Sequence, residues 1–321
     1  MKWLKYALIS LLLVLQGCAS MGISDYPLAE LTEKYTDETS KFMAVDDLII
    51  HYRDEGTGPT LVLLHGVASS LHTWDGWVNR LAPHYRIIRI DLPGHGLTGS
   101  DPSIERYEIA YMINKLEKFL NKLSIDEIYL AGNSLGGYIG WNYALHRPDR
   151  IKKMVLLDSA GFPQDMPFIM NFAALPVIGE MAGFMMPKFI VNRNVKQAFG
   201  DSDKVTDKLQ QRYFDLTMRQ GNREALVNVF RTMKEQSTNE HLGDRIKDVE
   251  TPTLLMWGSE DEWVPLSIMQ KFHQTLPNSQ TIVYEGVGHM PMEELPVQTS
   301  RDAHSFFTLG KTLAEPLVLA P

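Results

Sequence analysis

Three residue types that together can open an acyl bond each follow a separate apolar run in this chain. Ser134 stands in "LAGNSLGGY", Asp261 in "WGSEDEWVP" and His289 in "EGVGHMP". A serine hydroxyl alone is a poor nucleophile. A histidine that takes its proton, oriented by a carboxylate, turns it into one that attacks carbonyl carbon. Gly132 and Gly136 flank Ser134 two residues away on either side, where side chains would collide if a strand turned sharply into a helix. Such a turn alone is a weak signal, because glycines and a serine also make ordinary turns. With an acid and a histidine behind the last two strand-like runs, the signal is strong.

Those residues need elements to carry them. The runs 60–66, 85–91, 127–132, 153–158, 252–258 and 280–286 are aliphatic or β-branched and end near Gly, Asp or His. Unbroken apolar strands are what a parallel sheet covered on both faces requires. Between them lie helical patterns. Ile109, Met112, Ile113, Leu116, Phe119, Leu120 and Leu123 form one stripe at helical spacing. Alternating strand and helix predicts a doubly wound α/β fold with a mostly parallel sheet. "KFMAVDDLIIHYRDEG" ahead of it reads as an antiparallel edge hairpin. The interval 162–250 far exceeds an ordinary connection of about two to six residues. It holds helix-like stretches separated by Gly221, a candidate helix C-cap, and predicts a helical cap inserted over the carboxyl ends of the strands. Open α/β sheets place their sites at those ends.

The chain order serine, acid, histidine, with the further segments "LLHGVASSLHTW", "DLPGHGLTG" and "ALHRPDRIKKMVLLDSAG", resembles the α/β-hydrolases of the lipase, esterase and monoacylglycerol-lipase type. The resemblance runs over about residues 41 to 310 on those motifs. It implies a triad of Ser134, Asp261 and His289 and an oxyanion hole from the backbone N–H groups of Val67 and Leu135. Asp158, at the end of "MVLLD", is a rival acid; the Asp-x-x-Val-Pro context of Asp261 matches the family and favours it. His65 and His95 are expected to make structural hydrogen bonds, and Asp91 to hold the turn beside it. The closest rival activity is hydrolysis of a carbon–carbon bond in ring-fission products, whose enzymes share the Gly-Asn-Ser-x-Gly-Gly turn. Those relatives usually carry a glycine- and proline-rich oxyanion loop, where this chain reads "HGVASS". A third reading is a non-catalytic binding lipoprotein of the same fold, which would have no use for three triad members.

Composition narrows the partners. The chain has 321 residues and a net charge of −8; removal of residues 1–17 would take away Lys2, Lys5 and no acid, moving it to −10. That balance disfavours nucleic acid. Lys2 and Lys5 precede the apolar run Ala7 to Leu15, too short to span a bilayer but suited to a signal peptide. The junction "LQGCAS" resembles a bacterial lipobox, which implies lipidation at Cys18, the sole cysteine, and sorting to the outer membrane because Ala19 follows it. The expected organisation is a signal peptide at 1–17, a tether at 18–40, a core at 41–161 and 251–310 around the cap at 162–250, and a tail at 311–321.

No cofactor or metal is expected. The remaining histidines show no ligand spacing. Gly94, Gly96 and Gly99 spell a dinucleotide fingerprint in form, but Ser100-Asp101-Pro102 follows, so no helix opens there to hold a pyrophosphate. "GKT" at 310–312 lacks the upstream glycine of a phosphate loop, since position 305 is serine. The cap stretch from Phe162 to Phe189 is dense in Phe and Met, with Met166, Met170, Met181, Met185 and Met186. Flexible thioethers make an adaptable apolar lining, which would suit an acyl chain or a monoacylglycerol-like ester.

Overall fold

A computed structural model describes residues 21–310. The signal-peptide run, Cys18 and the tail at 311–321 lie outside the described residues. The elements, in chain order, are α1 (Leu28–Tyr35), β1 (Ser40–Val45), β2 (Leu48–Glu55), β3 (Thr60–Leu64), α2 (Asp75–Leu81), β4 (Arg86–Ile90), α3 (Ile109–Lys122), β5 (Ile128–Asn133), α4 (Leu135–His146) and β6 (Ile151–Leu157). The cap helices α5 (Phe168–Ala173), α6 (Pro176–Phe184), α7 (Lys188–Gln197), α8 (Asp207–Thr217) and α9 (Asn222–Ser237) follow. The chain then returns through β7 (Thr253–Gly258), α10 (Leu266–Thr275), β8 (Ser279–Tyr284), α11 (Pro291–Glu294) and α12 (Pro296–Leu309).

One eight-stranded sheet has the order β1-β2-β4-β3-β5-β6-β7-β8. The β1–β2 hairpin and its junction with β4 are antiparallel, and every later pairing is parallel. Strand alternation explains why the apolar runs are unbroken. Val62, Leu64, Leu130 and Leu156 face one core with Phe119, Ile139 and Phe272, whereas Leu61, Leu63, Val155 and Leu157 face a second core with Trp77, Leu81, Phe306 and Phe307. Both faces are buried, so neither parity of a strand can be polar. The doubly wound α/β architecture read from the sequence is the one observed. Among the described residues no helix is long and apolar enough to cross a membrane.

Two local expectations change. The stretch read as a tether is docked over its described part. Tyr26 exchanges backbone hydrogen bonds with Met218 and Gln220 (2.8 and 3.1 Å), Tyr35 Oη donates to Asp215 Oδ2 (2.7 Å), and Leu31 is buried. Its partners lie about two hundred residues downstream, and its short helix buries one leucine, so no local period announces it. Gly221 does adopt a left-handed backbone, φ +84°, but it opens α9 and does not close α8.

The β5–α4 turn depends on glycine for clearance. A Cβ on Gly132 would meet the Gly136 carbonyl, and one on Gly136 would meet the carbonyls of Leu64 and His65. These contacts are backbone, with nothing that can swing aside. Gly136→Ala is therefore expected to lower stability by about 2–3 kcal/mol, measured as a shift in urea midpoint at unchanged m-value.

Candidate active site

Ser134 sits between β5 and α4 with φ 53° and ψ −113°, a conformation side-chain-bearing residues rarely adopt. Its N–H donates to Leu157 O of β6 (3.0 Å) and its carbonyl accepts from Tyr138 (2.9 Å), so sheet and helix hold the turn from both sides. Strain of this kind costs of order 1–3 kcal/mol and persists only where its surroundings enforce it.

The acid and the histidine are joined. His289 Nδ1 lies 2.8 Å from Asp261 Oδ2, and both side chains are buried. Asp261 Oδ1 accepts from the N–H groups of Trp263 and Val264 (2.7 and 3.0 Å), a carboxylate-closed turn after β7 that leaves Oδ2 for the imidazole. In the neutral tautomer Nδ1 carries the proton that Asp261 accepts, which leaves the Nε2 lone pair free. Asn133 Nδ2 donates to His289 O (3.0 Å), tying the histidine loop to the residue before Ser134. Of the two links in the expected triad, the Ser134–His289 hydrogen bond is not made among the described residues. In substrate-free sites such contacts are often long and close only in the complex.

The two backbone donors expected at an oxyanion hole are also at the turn. Neither Val67 N–H nor Leu135 N–H has an acceptor among the described residues, and Leu135 opens α4 where no intrahelical acceptor exists. A Cβ on Gly66 would stand 3.2 Å from Ser134 Cβ, so the Gly66–Val67 turn abuts the serine.

Asp158 does not pair with His289 in this structure. Its backbone φ is +46°, and its Oδ1 accepts from Gly258 N–H (2.9 Å). Burial, then the nearby Asp261 carboxyl group, raises its pKa well above the carboxylate range, so Asp158 holds its proton. Asp158, Asp261 and His289 are the one grouping among the described residues whose ligand atoms could surround a cation, all within 4.8 Å of one another. Of those atoms, Asp158 Oδ1, Asp261 Oδ2 and His289 Nδ1 are held by hydrogen bonds, and Asp158 Oδ2 is buried with no partner among the described residues.

His65 and His95 are structural, as read from the sequence. His65 Nδ1 donates to Gly66 O (2.7 Å) and its Nε2 accepts from Leu92 N–H (2.9 Å); burial lowers its pKa and keeps it neutral. Burial, then the neighbouring His65, lowers His95 to about 3. Asp91 holds the turns around it, accepting from Leu71, Leu97 and His51 (2.8, 2.7 and 2.7 Å).

Two site residues were missed in the sequence. The Trp263 ring lies 5.2 Å from that of His289 at 32°, packing one face of the base. Buried Glu294 accepts from Gly288 (3.0 Å), Gly200 (3.0 Å) and Asp201 (2.9 Å), clamping the histidine loop to the cap. A glutamate in "PMEELP" gives no sign of partners on two distant loops. Above this floor lies a cavity of about 340 Å³ bounded by Val67, Asn133 and His289 below and by α5 to α9 above. Met170, Met181, Met185 and Met186 line it; Met166 does not. No Lys or Arg is among the lining residues.

Comparison with known proteins agrees with this architecture. A profile of the alpha/beta hydrolase fold matches residues 59–296. A 2-hydroxy-6-oxononadienedioate/2-hydroxy-6-oxononatrienedioate hydrolase of Cupriavidus pinatubonensis is 29% identical over 267 residues, covering 78% of this chain and 89% of its own. A 2-hydroxy-6-oxo-6-phenylhexa-2,4-dienoate hydrolase of Comamonas testosteroni is 27% identical over 291 residues, covering 87% and 99%. The solved structure of a candidate lipase of Acinetobacter baumannii AYE superposes with a TM-score of 0.74 at 26% identity, covering 87% and 94%.

The protonated Asp158 has a thermodynamic consequence. Below about pH 4 both folded and unfolded chains carry this proton. Above it the unfolded chain releases the proton and the folded one keeps it, so this residue makes stability fall as pH rises until the folded pKa is passed. Asp158→Asn keeps an acceptor for Gly258 and removes the ionisation. The stability of Asp158→Asn relative to wild type, from urea unfolding at pH 4 to 8, is expected to rise by up to about 1.4 kcal/mol per pH unit. A difference independent of pH would mean that Asp158 is ionised in the folded protein.

Proposed function

The chain belongs to the alpha/beta hydrolase fold family, and on that premise we propose that it is a serine hydrolase of carboxylic esters, with an acyl lipid or monoacylglycerol-like ester as substrate. The observation that carries the reading is the cavity over His289, walled by methionines and aliphatic residues and free of cationic lining. An acyl chain is stabilised there by burial alone, at about 25 cal/mol per Å² of apolar surface. A dienoate or dienedioate would bring one or two carboxylates into that wall without a Lys or Arg to meet them, which is costly.

In this mechanism His289 Nε2 takes the Ser134 proton as Oγ attacks the ester carbonyl, while Asp261 holds Nδ1–H and stabilises the imidazolium. The N–H groups of Val67 and Leu135 receive the oxyanion. His289 then protonates the leaving alcohol, the acyl group stays on Ser134, and water attacks by the same proton route. The chemistry needs no cofactor.

Carbon–carbon hydrolysis is the second reading, favoured by the two dienoate and dienedioate hydrolases among the relatives. Both readings use the same nucleophile turn, so substrate turnover separates them. Hydrolysis of p-nitrophenyl esters of increasing chain length is expected to exceed cleavage of a 2-hydroxy-6-oxo-dienoate by at least tenfold in kcat/KM. The reverse preference would transfer the assignment. Ser134→Ala is expected to remove ester turnover while the urea midpoint stays put; Asp261→Asn is expected to lower kcat by roughly 10³–10⁴, and Asp158→Asn by only a few-fold. Exchange of the last two results would move the acid to β6.

The N-terminal reading is proposed as well: lipidation at Cys18 after removal of residues 1–17, and placement in the bacterial cell envelope at the outer membrane. It is supported by "LQGCAS" and Ala19. Mass spectrometry of the N-terminal peptide is expected to find Cys18 acylated, and an unmodified Cys18 would refute it.

A further inference from the structure

The cap carries an apolar face beyond what the cavity uses. Phe168 on α5, Val177 and Phe184 on α6, and Phe189 on α7 are 79, 69, 66 and 68 % exposed. Phe168 stacks on Phe172 (ring centroids 5.7 Å apart, 14° between planes). Phe172 and Met181 are themselves exposed and also line the cavity, so the outer face continues into its wall. Single exposed apolar residues are ordinary, but several phenylalanines on three consecutive helices around one cavity are not.

Two further observations say what covers this face. Between residues 168 and 197, Glu180 is the one acid against the exposed Arg193 and Lys196, while Lys188 is half-buried with its ammonium on Gln211 and over the Phe214 ring, in a chain whose net charge is −8. Phenylalanines with a basic fringe are the composition of helices that lie in a bilayer interface with anionic lipid. The chain also leaves the described residues at this spot. Met186 N–H donates to Gly22 O (3.1 Å), and Arg223 bonds Gly22 O and the Asp25 carboxylate. Cys18 is four residues before Gly22, a reach of at most about 14 Å.

We propose that the face formed by Phe168, Val177, Phe184 and Phe189 rests on a lipid bilayer, so that the cavity opens toward the membrane from which an acyl ester enters. This rests on the lipid-anchor reading of Cys18 and on the ester reading of the cavity. The anchor supplies proximity and the face supplies orientation. Docked in this way, a long-chain ester passes from lipid to the Met181 and Phe172 wall without crossing water.

The test uses the full lipidated chain, in which the anchor consumes the thiol of Cys18, the sole native cysteine, so that one introduced cysteine carries a fluorophore. Vesicles of phosphatidylcholine and phosphatidylglycerol bearing doxyl-labelled acyl chains are added. A probe at Phe184→Cys is expected to be quenched several-fold. A probe at Asp149→Cys, ahead of β6 at the opposite end of the sheet, is expected to stay bright. A bright probe at 184 on vesicle-bound protein overturns the proposal, because the N-terminal segment alone would then make the contact. Absence of vesicle binding overturns it too, as does a lipid-free dimer cross-linked through 184, which would assign the face to a second copy. Phe168→Ser with Phe189→Ser is expected to lower vesicle partitioning at least about tenfold and to leave turnover of a short soluble ester unchanged. Unaltered partitioning would also overturn it. An unmodified Cys18 in the wild-type chain, or no turnover of the soluble ester, would strike the anchor or ester reading and leave the quenching pattern as a separate result.

Discussion

The close approach of β5, α4 and the Gly66–Val67 turn is the constraint on which the rest of the site depends. Ser134 has a backbone that its side chain disfavours, at φ 53°, because the chain must reverse from strand to helix within one residue. Gly132 and Gly136 remove the atoms that would block that reversal, and Gly66 lets the neighbouring turn come within contact of the serine. The same geometry frees the Leu135 N–H at the start of α4 and points the Val67 turn toward it. The proposed nucleophile and the proposed oxyanion donors are thus products of one backbone arrangement. Neither needs a side chain beyond the serine.

Around this turn the protein gives two carboxyl groups different surroundings. Asp261 has three hydrogen-bond donors, from Trp263, Val264 and His289. Asp158 accepts from one donor, Gly258, is completely buried, and lies beside Asp261. Burial in a low dielectric beside a second carboxyl group raises the Asp158 pKa, so Asp158 keeps its proton. The difference between them follows from the donors and neighbours around each, and the two residues are chemically identical in the sequence.

The cap is joined to the core by polar ties at its edges and by apolar surface over its centre. Glu294 bonds the backbone of the histidine loop and of the cap together, Arg212 pairs with Glu293 (2.7 Å), α1 is held by Asp215 and Arg53, and the segment before it by Arg223. Between these ties the methionines of α5, α6 and the segment after it leave a cavity above His289. Ordered rims around an adaptable apolar centre suit a flexible chain better than a rigid polar ligand.

Much was legible in the chain itself. Unbroken apolar runs read as strands buried on both faces, and the glycines around Ser134, with the acid and histidine downstream, read as a turn too tight for side chains. The serine, acid and histidine behind strand ends, and the long interval before β7, marked the site and the cap. Those signals are local: each is written within about ten residues by period, steric need or turn chemistry. The tertiary structure decided what depends on distant partners. It placed His289 against Asp261 and Gly258 against Asp158, and so separated two acids that the sequence left as rivals. It folded part of the expected tether onto residues near position 218, gathered Glu294 onto two loops, and brought four cap methionines, but not Met166, to one cavity. A carboxylate's role is set by the donors and charges that surround it in space, and those come from segments whose spacing along the chain carries no trace of their meeting.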